Sequence, residues 1–166
     1  MLRKILLRSL LLCLGVFLTP EMMHPEQHDI SKLTYHDDPR YLRLKQYLEE
    51  RGSPAAQWAA DFIAAADRYG LDWRLLPAIA VIESGAGQRY KNNNIFGWDS
   101  CRVRFPTVRD GIHHVASRLA TSRLYRDKDL DGILRTYNPY PFYPRRIKYV
   151  MRRLGPATLG AQPVAN

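Results

Sequence analysis

Apolar residues recur at spacings of three and four along most of this chain, the period of an amphipathic helix. In "SPAAQWAADFIAAADRYG" (53–70), Trp58, Phe62, Ile63, Ala66 and Tyr69 form one stripe. Ser53 suits the cap of that helix, Pro54 its first turn and Gly70 its end. "LDWRLLPAIAVIESG" (71–85) predicts a second helix, capped by Asp72, with Pro77 either kinking its start or pushing the regular helix later. It is apolar on nearly every side and is expected to be the buried central helix. Further helices are expected over 107–125, where Val108, Ile112, Val115, Ala116 and Leu119 share a side, over 130–137 after Asp129, and over 143–155, between Pro144 and Gly155. "AGQRYKNNNIFGWDS" (86–100) is rich in Gly and Asn and reads as loop. "CRVRF" (101–105) alternates, which predicts a short strand or half of a small hairpin. The expected fold class is mainly α, with a short β-hairpin at most.

The ends differ from this middle. A basic start, "MLRK", precedes the apolar run "SLLLCLGVFL" and Thr19-Pro20, so residues 1–18 read as a signal peptide or a membrane anchor. Arg8 interrupts the run, which is short for a spanning helix of about 20 residues. Residues 19–52 read as a linker carrying one short amphipathic helix, "DPRYLRLKQYLEERG" (38–52), ended by Gly52. The domain is then 53–155, and 156–166 is a loose tail. There is no internal repeat.

The formal net charge is +9 over 166 residues. It favours acidic partners without choosing among nucleic acid, anionic lipid and a wall polymer with acidic peptide stems. The basic run "RRIKYVMRR" (145–153) spreads its charges over more than one face, while Ile147, Val150, Met151 and Leu154 make a core stripe. With an export signal, a solvated or wall-facing surface is expected there and nucleic acid is not. Cys13 lies in the signal, which leaves Cys101 without an internal disulfide partner. His113 and His114 are adjacent and diverge on a helix, so they offer no zinc spacing. "DKDLDG" (127–132) matches the first half of a calcium loop, but the ninth and twelfth positions are Arg135 and Asn138, so a turn and helix cap is expected. No metal and no cofactor are expected, and the chain is expected to act as a monomer.

Glu83 is the only glutamate after Glu50, and it closes the most apolar segment. Spacings of 7, 4 and 3 put it on one helical face with Leu76, Ile79 and Ala80. A helix C-terminus disfavours negative charge, and burial does too; both raise a carboxyl's pKa. A carboxylic acid still protonated near neutral pH suits general acid catalysis at a glycosidic oxygen. The small residues Ser84, Gly85, Ala86 and Gly87 are expected to leave room beside it for a bulky ligand. The alternative is a glutamate exposed at a helix end or paired with an arginine. Downstream, "NNNIFGW" offers asparagine amides for sugar hydroxyl and acetamido groups, and Phe96 and Trp98 offer flat apolar faces. "TYNPYPFYP" (136–144) adds Tyr137, Tyr140, Tyr143 and Asn138 in a proline-stiffened loop, which could instead pack on the core.

Four motifs in order, "ESGAG", "NNIFGW", "VRFPTVRDGIHHVASRL" and "YNPYPFYPRRIKYVMRRL", resemble the bacterial glucosaminidase domain of cell-wall hydrolases over about residues 55–155. "ESG" is also similar to the soluble lytic transglycosylases of the same lysozyme-like superfamily. The resemblance implies a lysozyme-like, two-lobed helical fold and cleavage of β-1,4 links in the glycan strands of peptidoglycan. It carries the general acid to Glu83, a supporting catalytic role to Tyr137, and substrate contacts to Asn94 and Phe96. Trp98, Asp99 and Tyr143 complete the expected substrate contacts. Many such domains hold a second carboxylate in a β-rich insertion; here "WDSCRVRFP" fills that gap, and Asp99 is its only acidic residue. Three routes are therefore open: participation by the substrate's acetamido group, a water positioned by Asp99, or attack by a muramyl hydroxyl as in lytic transglycosylases. A wall-binding module that keeps the cleft without turnover is the non-enzymatic alternative.

Overall fold

The computed structural model describes residues 34–159, so the segment expected to be a signal or anchor lies outside the described residues. The described chain is mainly α. Its helices are α1 (Pro39–Glu49), α2 (Ala59–Tyr69), α3 (Leu75–Ser84), α4 (Val108–Thr121), α5 (Leu130–Tyr137) and α6 (Tyr143–Leu154), with 3₁₀ turns at Pro54–Trp58 and Trp98–Cys101. Among the described residues no helix is long and apolar enough to cross a membrane.

Local chemistry sets these boundaries. The Ser53 hydroxyl accepts from the Ala55 N–H, and Pro54 opens a 3₁₀ turn that becomes α2 only at Ala59. Gly70 ends α2 in the left-handed region, at φ 63°. The Asp72 carboxylate accepts from the Arg74 N–H and grips its guanidinium. Regular helix begins at Leu75, the later start that is one of the two expectations for Pro77, because Pro77 then falls in the first turn, where its missing N–H costs no hydrogen bond. Thr107 and Asp110 form a reciprocal capping box on α4. Asp129 caps α5 through the Gly132 N–H at 2.7 Å, the helix-cap role expected of the DKDLDG stretch.

The central helix is α3, with Leu75, Leu76, Ala78, Ile79 and Ala80 all buried. It packs along α6, and α2 packs along α4. Asp61 of α2 is fully buried and paired with Arg109 of α4 at 3.1 Å, which offsets the desolvation of that carboxylate.

Two expectations are corrected. The helix placed in a linker is part of the domain: α1 buries Leu44, Tyr47 and Leu48 in the common core, each worth about 1.5–3 kcal/mol. Arg40 ties α1 to Asp67 of α2, and Arg43 donates to the Arg153 and Leu154 carbonyls at the end of α6. The domain therefore starts before residue 53. The alternating 101–105 segment makes no strand, and among the described residues there is none; Lys91 and Asn94 form one isolated bridge. Asp99, Ser100 and Cys101 all take left-handed φ (49°, 53° and 60°), which winds the chain into a turn where a strand would extend it. The amides of Asn92 and Asn93 then hold the carbonyls of Cys101, Phe105 and Pro106.

Candidate active site

Glu83 stands in the last turn of α3 and is half-buried. The helix stops at Gly85 (φ 65°), where the Ala86 N–H reaches back to the Ala80 carbonyl. The small residues after Glu83 do not make room for a ligand, contrary to expectation. They form a tight buried turn: the Ser84 hydroxyl accepts from the Gly87 N–H, and Ser53 donates to the Ala86 carbonyl at 2.6 Å. Their work is to anchor the end of α3 on the start of the α2 segment. The room beside the carboxyl comes from Gly97, whose Cα faces it; a Cβ there would stand 3.1 Å from Glu83 Oε2.

The carboxyl opens into a cleft of about 630 Å³ walled by Gly97, Trp98, Asp99, Ser100, Tyr125, Tyr137, Asn138 and Pro139. Burial holds Glu83 above the usual carboxylate range; the Tyr143 hydroxyl and the Arg146 guanidinium pull it partly back. Tyr143 lies almost wholly buried beside Glu83, yet its hydroxyl closes no hydrogen bond of regular geometry. Tyr137 stacks on it, with ring centroids 6.0 Å apart and planes 4° from parallel. Burial, then the Glu83 charge, drives both phenols well above their ordinary pKa. Both therefore stay protonated and form a rigid wall behind the carboxyl.

Of the residues picked from sequence, Glu83, Trp98, Asp99 and Tyr137 line this cleft together. The Tyr137 hydroxyl is committed to the Phe96 carbonyl at 2.6 Å, so its support is mechanical: it braces the loop that carries Gly97 and Trp98. Tyr143 backs Glu83 from inside the core and is no substrate contact. Asp99 is half-exposed and paired with Arg102.

Besides Tyr143, two further expected contacts are overturned. Asn94 is buried, and its amide is spent on the loop, donating to the Trp98 and Val103 carbonyls and accepting from the Trp98 N–H. Phe96 is fully buried, edge-on to Phe62. Neither has a face left for a sugar. The residues missed are Gly97, Tyr125 and Arg146. Gly97 was quoted only as part of a motif, Tyr125 only as the last residue of a helix, and Arg146 sits in a run of similar charges. Tyr125 packs 6.3 Å from Trp98, which makes it a second aromatic wall. Among the described residues no group of His, Cys, Asp and Glu could hold a metal ion.

The arrangement suits proton transfer at a bond held against Trp98 and Tyr125: one carboxyl of raised proton affinity, two fixed phenols behind it, and one further carboxylate on the wall. Compared with protein-family models, with curated proteins and with solved structures, the chain matches none.

Proposed function

We propose that this chain is an exported peptidoglycan hydrolase, an endo-β-N-acetylglucosaminidase of lysozyme-like, two-lobed fold that cleaves β-1,4 bonds of glycan strands with Glu83 as general acid and base. One observation carries the proposal: a half-buried carboxyl, its proton affinity raised by burial, opens from a helix end into a cleft with aromatic walls and Asn138 among its lining residues. The family resemblance in the sequence supplies the substrate class. In this reading Glu83 gives its proton to the glycosidic oxygen as the bond to the anomeric carbon breaks. The substrate's acetamido oxygen closes on that carbon, and the Glu83 carboxylate then takes a proton from the water that opens the intermediate. Trp98 and Tyr125 face the sugar rings. The protein acts as a monomer in the cell envelope, with membrane association if residues 1–18 are retained.

A second reading has one observation in its favour. Asp99 is the only other acidic side chain lining the cleft, and Arg102 already engages it. Glu83 alone then serves as acid and afterwards as base toward a muramyl hydroxyl, the transglycosylase outcome. Mass spectra of the sugar ends released from purified wall separate the two. Reducible N-acetylglucosamine ends support the first, and anhydromuramyl ends the second. Absence of any released ends overturns both and leaves a wall-binding module.

A further inference from the structure

Helical spacing places Phe142, Arg145, Arg146, Tyr149 and Arg152 along one side of α6 and its N-cap. With Ile82 they line a second groove of about 430 Å³. Phe142 and Tyr149 are 57% and 58% exposed, large rings left open to solvent, and the ring that Phe142 meets edge-on, Tyr140, is itself exposed. Arg145, Arg146 and Arg152 are exposed as well, and none makes an ion pair or side-chain hydrogen bond among the described residues. The contrast on the same helix is Lys148, which lies off this side and is paired with Asp131 at 2.8 Å. The groove adjoins the cleft: Ile82 precedes Glu83, and Arg146 is near enough to pull on the Glu83 proton.

We propose that this groove binds a carboxylate-bearing peptide branch of the glycan strand held in the cleft, the three arginines taking its carboxylates and Phe142 and Tyr149 its aliphatic side chains. The inference rests on the glycan reading of the cleft. Arginine suits carboxylates because its planar fork donates two parallel hydrogen bonds. Charge complementarity selects the occupant: three unpaired guanidinium groups with no acidic residue among the groove's lining side chains. Continuity with Glu83 selects a branch of the bound strand over an unconnected anion. The chain would then discriminate peptide-bearing wall glycan from neutral polymers of the same sugars.

The test uses the full chain carrying Glu83→Gln, so that binding is read without turnover. Its affinity for soluble glycan fragments bearing peptide branches is compared with that for the same fragments stripped by an amidase. The expected preference for branched fragments is about tenfold, the scale of two partly exposed ion pairs. Adding Arg145→Gln and Arg152→Gln should abolish that preference while thermal unfolding is unchanged, because both side chains are exposed. A preference that survives the double substitution, or equal loss on both fragments, overturns the inference. So does arginine-dependent binding to phosphatidylglycerol vesicles without any branched-fragment preference, which would assign the groove to lipid. Failure to bind either fragment removes the inference and the glycan reading together. Arginine-dependent preference in a chain that releases no sugar ends keeps the groove and discards only the cleavage.

Discussion

Gly97→Ala tests whether the position of the Glu83 carboxyl matters. Gly97 has φ 63°, a conformation that costs an L-residue about 1–2 kcal/mol. For a domain of this size that strain lowers Tm by about 3–10 °C. The added Cβ also stands 3.1 Å from Glu83 Oε2 and 3.7 Å from its carboxyl carbon, so the carboxyl must shift by a few tenths of an ångström. Since a misplacement of about 1 Å costs roughly 10²-fold in rate, such a shift should cost about four- to tenfold. Gly70 supplies the control. It has the same φ of 63°, and nothing lies within 4 Å of the Cβ it would gain. Both variants should lose similar thermal stability, and only Gly97→Ala should lose wall-lytic rate, both assayed well below their Tm. Equal rates for the two would mean that the carboxyl's placement is irrelevant to activity, which refutes the assignment of Glu83.

Three further outcomes follow from the same geometry. Phe96→Ala should cost about 3–5 kcal/mol of stability from a fully buried site, whereas Trp98→Ala should weaken glycan binding more than it lowers Tm; parallel melts and wall pull-downs distinguish them. Arg146 lowers the Glu83 pKa, so Arg146→Gln should let the acid form persist further up the pH scale and move the alkaline limb of the pH–rate profile to higher pH; a limb that stays or moves down contradicts that coupling. Because the folded-state pKa of Glu83 is raised, its contribution to stability is fully present below the unfolded pKa and lost as pH rises through the folded one; Glu83→Gln should therefore gain Tm relative to the native chain as pH rises from acid to neutral, and a constant difference would show that the carboxyl is not desolvated.

The helices were legible because their punctuation is local: Asp129, Thr107, Gly70 and Gly85 each act within a few residues. Glu83 was legible for a related reason, since a lone carboxyl at the end of an all-round apolar helix has few places to go. What stayed hidden depends on partners remote in sequence. The amphipathic pattern of α1 was visible, but not that Arg43 would cap α6 more than a hundred residues on, so a core helix passed for a linker element. Asn94 and Phe96 were misplaced because an amide binds a backbone carbonyl as readily as a sugar, and a ring packs on Phe62 as readily as on a ligand. The failed strand at 101–105 followed a left-handed run at Asp99–Cys101, which residues without a glycine do not announce.

The most direct measurement is release of new sugar ends from purified peptidoglycan by the native chain and by Glu83→Gln at equal concentration, with wall binding measured in parallel. Glutamine keeps the shape of the side chain and removes its transferable proton. The predicted result is a fall in rate of about 10²–10⁴-fold with binding retained. Release at a near-native rate by Glu83→Gln would contradict the assignment of this carboxyl as the catalytic acid.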